Sequence, residues 1–232
     1  MTITHSCAAW FIEVAERTAT LVAKWQGVGF THGVLNTDNM SVLGLTIDYG
    51  PFGFLDAFDP KYTPNTTDLP GRRYCFANQP DIGLWNLMQF ATTLTEGKLI
   101  SEEEAQFGLD RYAFDCLCMV CVYLSYRAND KFQYNPCRYG DKFMAEYKHL
   151  MSKKLGLKEY NRELINTLLS NMAFDKVDYT NCFRALGNVK TSDNITEEEL
   201  LKPIKGVLLE TSKERRNAWI NWMKLYTEQV GT

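Results

Sequence analysis

Three residues in the stretch THGVLNTDNMSVLGLTIDYGPFG, residues 31–53, are of the types that handle a phosphate ester: Asp38, Asn39 and Asp48. Transfer of a phosphoryl or nucleotidyl group needs a divalent metal on the phosphates and oxygen ligands for that metal. It also needs a carboxylate to orient or deprotonate the acceptor hydroxyl. Magnesium is a hard ion that takes carboxylate and amide oxygens, usually one or two of them from protein. Asn39 and Asp48 carry such oxygens, and Asp38 is a carboxylate beside them that could act as a base. The two aspartates stand ten positions apart with Gly44 between them, so a hairpin turning there would bring both to one point. The same residues also suit a tight hairpin of solvated turn residues, and the spacing alone fits both readings.

The order of these residues resembles that of kinase-like phosphotransferases. Those place a histidine and an aspartate two residues apart, an asparagine five residues after that aspartate, and Asp-Phe-Gly after a hairpin. Here His32, Gly33 and Asn39 are in register, and Asp48-Tyr49-Gly50 resembles the last motif. Val34 occupies the usual base position and cannot take a proton, so by that template the chain would be a pseudokinase. Asp38 stands four residues later. With that shift, HGVLNTDNMSVLGLTIDYGPFGFLDAFDP resembles the signature of the selenoprotein O family (SelO/YdiU). RTATLVAKWQGVGF upstream and GRRYCFANQPDIGLWNLMQFATTL downstream resemble the flanking blocks of that family, and KLGL, DYTNCFRAL and WINWMKLY fit looser landmarks, so the likeness covers nearly the whole chain.

The resemblance implies a protein-kinase-like fold, ATP bound in a flipped orientation, and transfer of AMP to Ser, Thr or Tyr hydroxyls of proteins. It implies that Asp38 is the proton acceptor and that Asn39 and Asp48 bind Mg2+, with Mn2+ as the alternative ion. Asp48 would also lie against the ATP phosphates. Residues 1–232 are expected to form a partial domain, the core of a kinase-like C-terminal lobe with the N-lobe absent and residues 31–53 as its catalytic and metal loop. A chain that begins one helix before that loop is expected to lack the lysine and arginine clamps on the phosphates, and so to transfer AMP poorly by itself. An apolar face beside Asp48 is expected where such a lobe has no partner. Two other classes fit the residues: a kinase-like phosphotransferase acting on the γ-phosphate, and a non-enzymatic truncated remnant or binding module. By resemblance the compartment is mitochondrial in a eukaryote and cytoplasmic in a bacterium.

The elements that must position these residues are mostly helical. Residues 7–26 carry Trp10, Phe11, Val14, Ala15, Leu21, Val22 and Trp25 at helical spacing, with Ser6 as N-cap and Gly27 and Gly29 as terminators. MSVLG and LTIDYG are β-prone runs joined at Gly44, which predicts a small hairpin. Residues 49–80 contain five prolines and read as irregular, with one helical turn at 53–58. Helices are predicted over about 81–96, 102–128, 138–154, 159–173, 178–187, 196–209 and 213–229. Ser101 and Thr196, each followed by glutamates, are capping signals. The fold class is therefore mainly α with a small β hairpin.

Composition narrows the function further. The net charge of −3 and the absence of a basic stripe argue against non-specific nucleic-acid binding. No apolar run approaches the roughly 18 residues that would span a bilayer. Seven cysteines at irregular spacing read as free thiols. Cys116, Cys118 and Cys121 lie within an apolar helical run and read as small buried hydrophobes rather than a metal site. His32 is read as a structural residue bonding backbone in its loop. Arg73 is a candidate for a phosphate or activation-segment contact, with a structural ion pair as the alternative. Trp219, Trp222 and Tyr226 are read as core, and Lys213–Arg216 as a solvated charge run.

Overall fold

The computed structural model describes residues 6–109, 138–189, 196–208 and 212–230. The cluster Cys116, Cys118 and Cys121 and residues 110–128 of the helix expected over 102–128 lie outside the described residues. The chain divides into two compact units, one of residues 1–53 and 61–147, the other of residues 54–60 and 148–232. Both are mainly helical. Among the described residues no helix is long and apolar enough to cross a membrane.

The first unit is built on α1 (Ser6–Val28), whose buried face runs through Phe11, Ala15, Ala19, Val22 and Trp25. That face packs on α2 (Gln79–Glu96) and α3 (Glu102–Leu109). The close α1–α3 approach depends on Gly108, because a Cβ there would lie 2.7 Å from the Phe11 ring. Gly27 stays within α1 and is buried. Gly29, with φ of +77°, ends the helix in the left-handed conformation that glycine adopts without strain. Ser101 caps α3 reciprocally: its hydroxyl accepts from the Glu104 N–H at 3.2 Å, and the Glu104 carboxylate accepts from the Ser101 N–H at 3.0 Å. α4 (Arg138–Leu155) begins in this unit, where the Tyr139 hydroxyl donates to the Pro80 carbonyl at 2.9 Å.

The β structure is smaller than expected and partly elsewhere. The two-stranded antiparallel sheet pairs β1 (Phe30–Thr31) with β2 (Gly53–Phe54). Between them the hairpin at Gly44 is reduced to one antiparallel bridge, Met40 to Thr46, closed by a turn in which the Gly44 N–H donates to the Ser41 carbonyl at 3.0 Å. Val42, Leu43 and Leu45 are exposed, so no buried face rewards a longer ladder. The helical turn expected at 53–58 does not form: Gly53 and Phe54 are extended. Residues 61–78 are irregular apart from three-residue 3₁₀ turns at Thr66–Asp68 and Phe76–Asn78.

The second unit packs α5 (Arg162–Phe174) and α7 (Glu197–Leu201) on α8 (Lys213–Val230), with α6 (Tyr179–Leu186) beside them. Trp219, Trp222 and Tyr226 are fully buried, as their spacing predicts. The Trp222 indole donates to the Leu164 carbonyl at 2.8 Å and its ring stacks on Tyr226. The charge run is not wholly solvated. Arg215 folds back onto Asp175 with its Nη2 2.8 Å from Oδ2, and Trp219 Nε1 donates to the same oxygen at 2.7 Å. The helix expected over 196–209 stops at Leu201 and continues as a 3₁₀ turn, Lys202–Ile204, because Pro203 has no N–H for an α-helical bond. Residues 54–60 join this unit through the Phe58 N–H to the Val177 carbonyl at 2.8 Å and the Tyr179 N–H to the Asp56 carbonyl at 2.7 Å.

Candidate active site

The loop that follows β1 is held by its backbone, and three residues organise it. His32 is almost wholly buried. Its Nε2 lies 2.9 Å from the Ile47 carbonyl, which can only accept, so Nε2 carries the proton and Nδ1 receives the Val34 N–H at 3.4 Å. The residue before Asp48 is thereby tied to the start of the loop. The Val34 carbonyl in turn accepts from Asn39 Nδ2 at 2.8 Å. Residues 32–34 therefore hold both limbs of the hairpin: Asn39 on one side and the peptide leading into Asp48 on the other. Gly33 permits this with φ of +83°. A Cβ there would collide with the Pro51 carbonyl oxygen and sit 2.9 Å from Pro64 Cγ.

The three candidate residues occupy different settings. Asp38 lies in a 3₁₀ turn, Thr37–Asn39, with its carboxylate exposed. Asn39 is buried. With its nitrogen committed to Val34, its side-chain oxygen is the free end of the amide and takes no hydrogen bond from the described residues. Asp48 is exposed and has φ of +53°, a left-handed conformation uncommon outside glycine but tolerated by Asp and Asn. Two tight turns follow it, Gly50 N–H to the Asp48 carbonyl at 2.8 Å and Phe52 N–H to the Gly50 carbonyl at 2.9 Å. The Met40–Thr46 bridge closes the hairpin between the turn that carries Asp38 and Asn39 and the limb that leads to Asp48. A free amide oxygen and an unpartnered exposed carboxylate are hard donors of the kind magnesium takes, so the donor set fits the ion. Among the described residues there is no cluster of three or more His, Cys, Asp or Glu side chains. A site of one amide and one carboxylate contains no such cluster.

A second layer of buried amides anchors the loop, and the sequence reading missed it. Gln79 accepts from the His32 N–H at 2.8 Å and donates to the Phe30 carbonyl at 2.9 Å. Asn86 donates to the Leu35 carbonyl at 2.9 Å. Asn65 donates to the Gly33 carbonyl at 3.1 Å. The Tyr74 hydroxyl donates to Asn36 Oδ1. One signal was legible: Gln79 and Asn86 stand two helical turns apart on the buried face of α2, where an amide has to find a partner.

The hairpin itself rests on α1. The Trp25 indole donates to the Thr46 hydroxyl at 2.9 Å, and the Trp25 ring lies 5.7 Å from that of His32. Leu43, Leu45, Tyr49 and Phe52, near Asp48 in sequence, are exposed. Arg73 makes no ion pair among the described residues. Its guanidinium lies 4.8 Å from the Trp85 ring centroid, while its backbone N–H donates to Asp68 Oδ1 at 2.9 Å.

A family model described as protein adenylyltransferase SelO matches residues 2–232. The chain belongs to that family. It is 45% identical over 189 residues to the protein nucleotidyltransferase YdiU of Myxococcus xanthus, covering 80% of this chain and 33% of that protein. It is 38% identical over 228 residues to YdiU of Salmonella schwarzengrund, covering 97% of this chain and 39% of the relative. The corresponding protein of Flavobacterium johnsoniae is 37% identical over 227 residues, covering 95% and 38%. The chain thus spans between a third and two fifths of the length of these relatives.

Proposed function

We propose that this chain supplies the catalytic loop of a protein adenylyltransferase, built as the C-terminal lobe of a kinase-like fold. The observation that carries the reading is a free amide oxygen on Asn39 and an exposed, unpartnered carboxylate on Asp48, with the peptide before Asp48 and the Asn39 amide both tied to residues 32–34 and the exposed carboxylate of Asp38 next to Asn39 in the chain. Asp38 accepts the proton of a Ser, Thr or Tyr hydroxyl of the acceptor protein. The freed oxygen forms a bond to the α-phosphorus of ATP, the bond from that phosphorus to the bridging oxygen breaks, and pyrophosphate leaves. Asn39 and Asp48 would hold Mg2+ or Mn2+, whose charge offsets that of the phosphates. Asp48 also faces those phosphates. His32 acts indirectly, by fixing the peptide that presents Asp48.

The test is single-turnover transfer from α-labelled ATP, run on this chain and on a full-length family member beside it. Mass spectrometry of the acceptor separates an added AMP from an added phosphate. Asp38→Asn in the full-length context is expected to lower the transfer rate by roughly 10²-fold or more, the scale of a lost general base. A fall of less than threefold would remove Asp38 from the role of base. Calorimetric titration of this chain with Mg-ATP addresses the remnant reading, which low-micromolar binding would eliminate.

A further inference from the structure

Arg73, in the segment that packs on the loop, is set on an aromatic platform. Its guanidinium lies over Trp85 at 4.8 Å and near Tyr74 at 5.7 Å, and Trp85 itself is exposed. Both platform residues are tied to the loop that carries Asp38. Tyr74 donates to Asn36, two residues before Asp38, and Asn86, the neighbour of Trp85, donates to the Leu35 carbonyl. The backbone beneath is fixed as well, because Asp68 accepts from the N–H groups of Arg73 and Tyr74, each at 2.9 Å. Those bonds occupy Asp68 with backbone and leave the guanidinium without an ion pair among the described residues. A stacked guanidinium keeps its in-plane N–H groups directed outward, in the geometry that a carboxylate accepts.

We propose that Arg73, held over Trp85, is the subsite for a carboxylate that flanks the accepting hydroxyl, so that the preferred acceptor is a Ser, Thr or Tyr in an acidic segment of protein. This rests on the reading of Asp38 as the base. The placement favours the acceptor over the nucleotide. The platform beneath Arg73 is tied to the limb before Asp38, through the bond of Tyr74 to Asn36 and that of Asn86, next to Trp85, to the Leu35 carbonyl. Asp48, the residue assigned to the phosphates, is held on the other limb through Ile47 and His32.

The experiment reads binding apart from catalysis. The indole N–H resonance of Trp85, assigned as the signal lost in Trp85→Phe, is followed by NMR while two peptides are titrated into this chain. The peptides share a tyrosine acceptor flanked by Glu in one and by Gln in the other. The Glu peptide is expected to shift the resonance and to bind about fivefold more tightly than the Gln peptide, the scale of an exposed charge pair. Arg73→Gln should erase that difference and Arg73→Lys should restore part of it. Equal binding of the two peptides to the unaltered chain would overturn the proposal. So would an Arg73-dependent shift of Trp85 by ATP alone, which would make the guanidinium a phosphate contact. Failure of AMP transfer by a full-length family member, with peptide discrimination by this chain intact, would sink the adenylyltransferase reading and leave the subsite standing.

Discussion

His32 commits its ring nitrogens to the backbone of its own loop, and in this way it fixes the peptide that leads into Asp48. The same economy holds for the amides around it: Gln79, Asn86 and Asn65 each serve carbonyls of residues 30–35. Their types were visible in the sequence and their partners were not, because a buried amide can bond any carbonyl and these lie roughly thirty to fifty residues away along the chain. Asp38, Asn39 and Asp48 stand out as candidates for the opposite reason: they are close together in the sequence, and their chemistry is restricted. Not every buried polar atom is satisfied: Asn86 Oδ1 has no partner among the described residues, and neither has Asp81 Oδ1. Asp81 sits in the first turn of α2, and burial pushes its pKa up to about 6. Because the folded value lies above the unfolded one, the native state holds the extra proton between about pH 4 and 6. Stability from this group is therefore full below that window and lost as pH rises through it. Asp81→Asn is expected to remove that loss, so that the variant gains on the unaltered chain between pH 4 and pH 7 in urea unfolding. A difference that stays constant across that range would show the carboxyl to be solvated.

At the scale of elements, helices with a clear apolar stripe and caps were readable: α1, α2, α4, α5 and α8 fall within a few residues of expectation. Errors came where a local signal had no tertiary partner or carried a breaker. The hairpin lost its strands because its side chains face solvent, and the helix after Thr196 was cut by Pro203. What holds the hairpin is its seat on α1, where Gly44 has φ of +67° and a Cβ would fall 2.7 Å from Arg17 Cβ. Gly44→Ala combines left-handed strain with that collision, and is expected to cost about 1–3 kcal/mol. Thermal unfolding would read the loss, and the Trp25–Thr46 hydrogen bond should weaken with it, seen as faster exchange of the Trp25 indole proton. An unchanged melting temperature would mean that the hairpin does not depend on this seat.

At the scale of the molecule, each compact unit carries its own core. The second is organised around Asp175, which is nearly buried and serves both the Arg215 guanidinium and the Trp219 indole. Asp175→Ala would strand a half-buried cation and a buried N–H together, at an expected cost of about 3 kcal/mol. Hydrogen exchange should accelerate across α5 and α8, while the amides of α2 keep their protection. A loss below about 0.5 kcal/mol would reduce the pair to a surface contact.

Asp48 shows what kind of change this loop can absorb. A left-handed backbone admits aspartate, asparagine and glycine readily and most other residues only with strain. Asparagine keeps the outline of the side chain and removes its charge, so the replacement that best conserves the shape of the loop is also one that, on the proposed role of Asp48, takes away the metal's carboxylate. In a lineage released from selection for chemistry, the fold would tolerate that exchange first. A catalytically dead copy would then keep the hairpin, the histidine tether and the tight turns in place, and differ from a working one by a single oxygen.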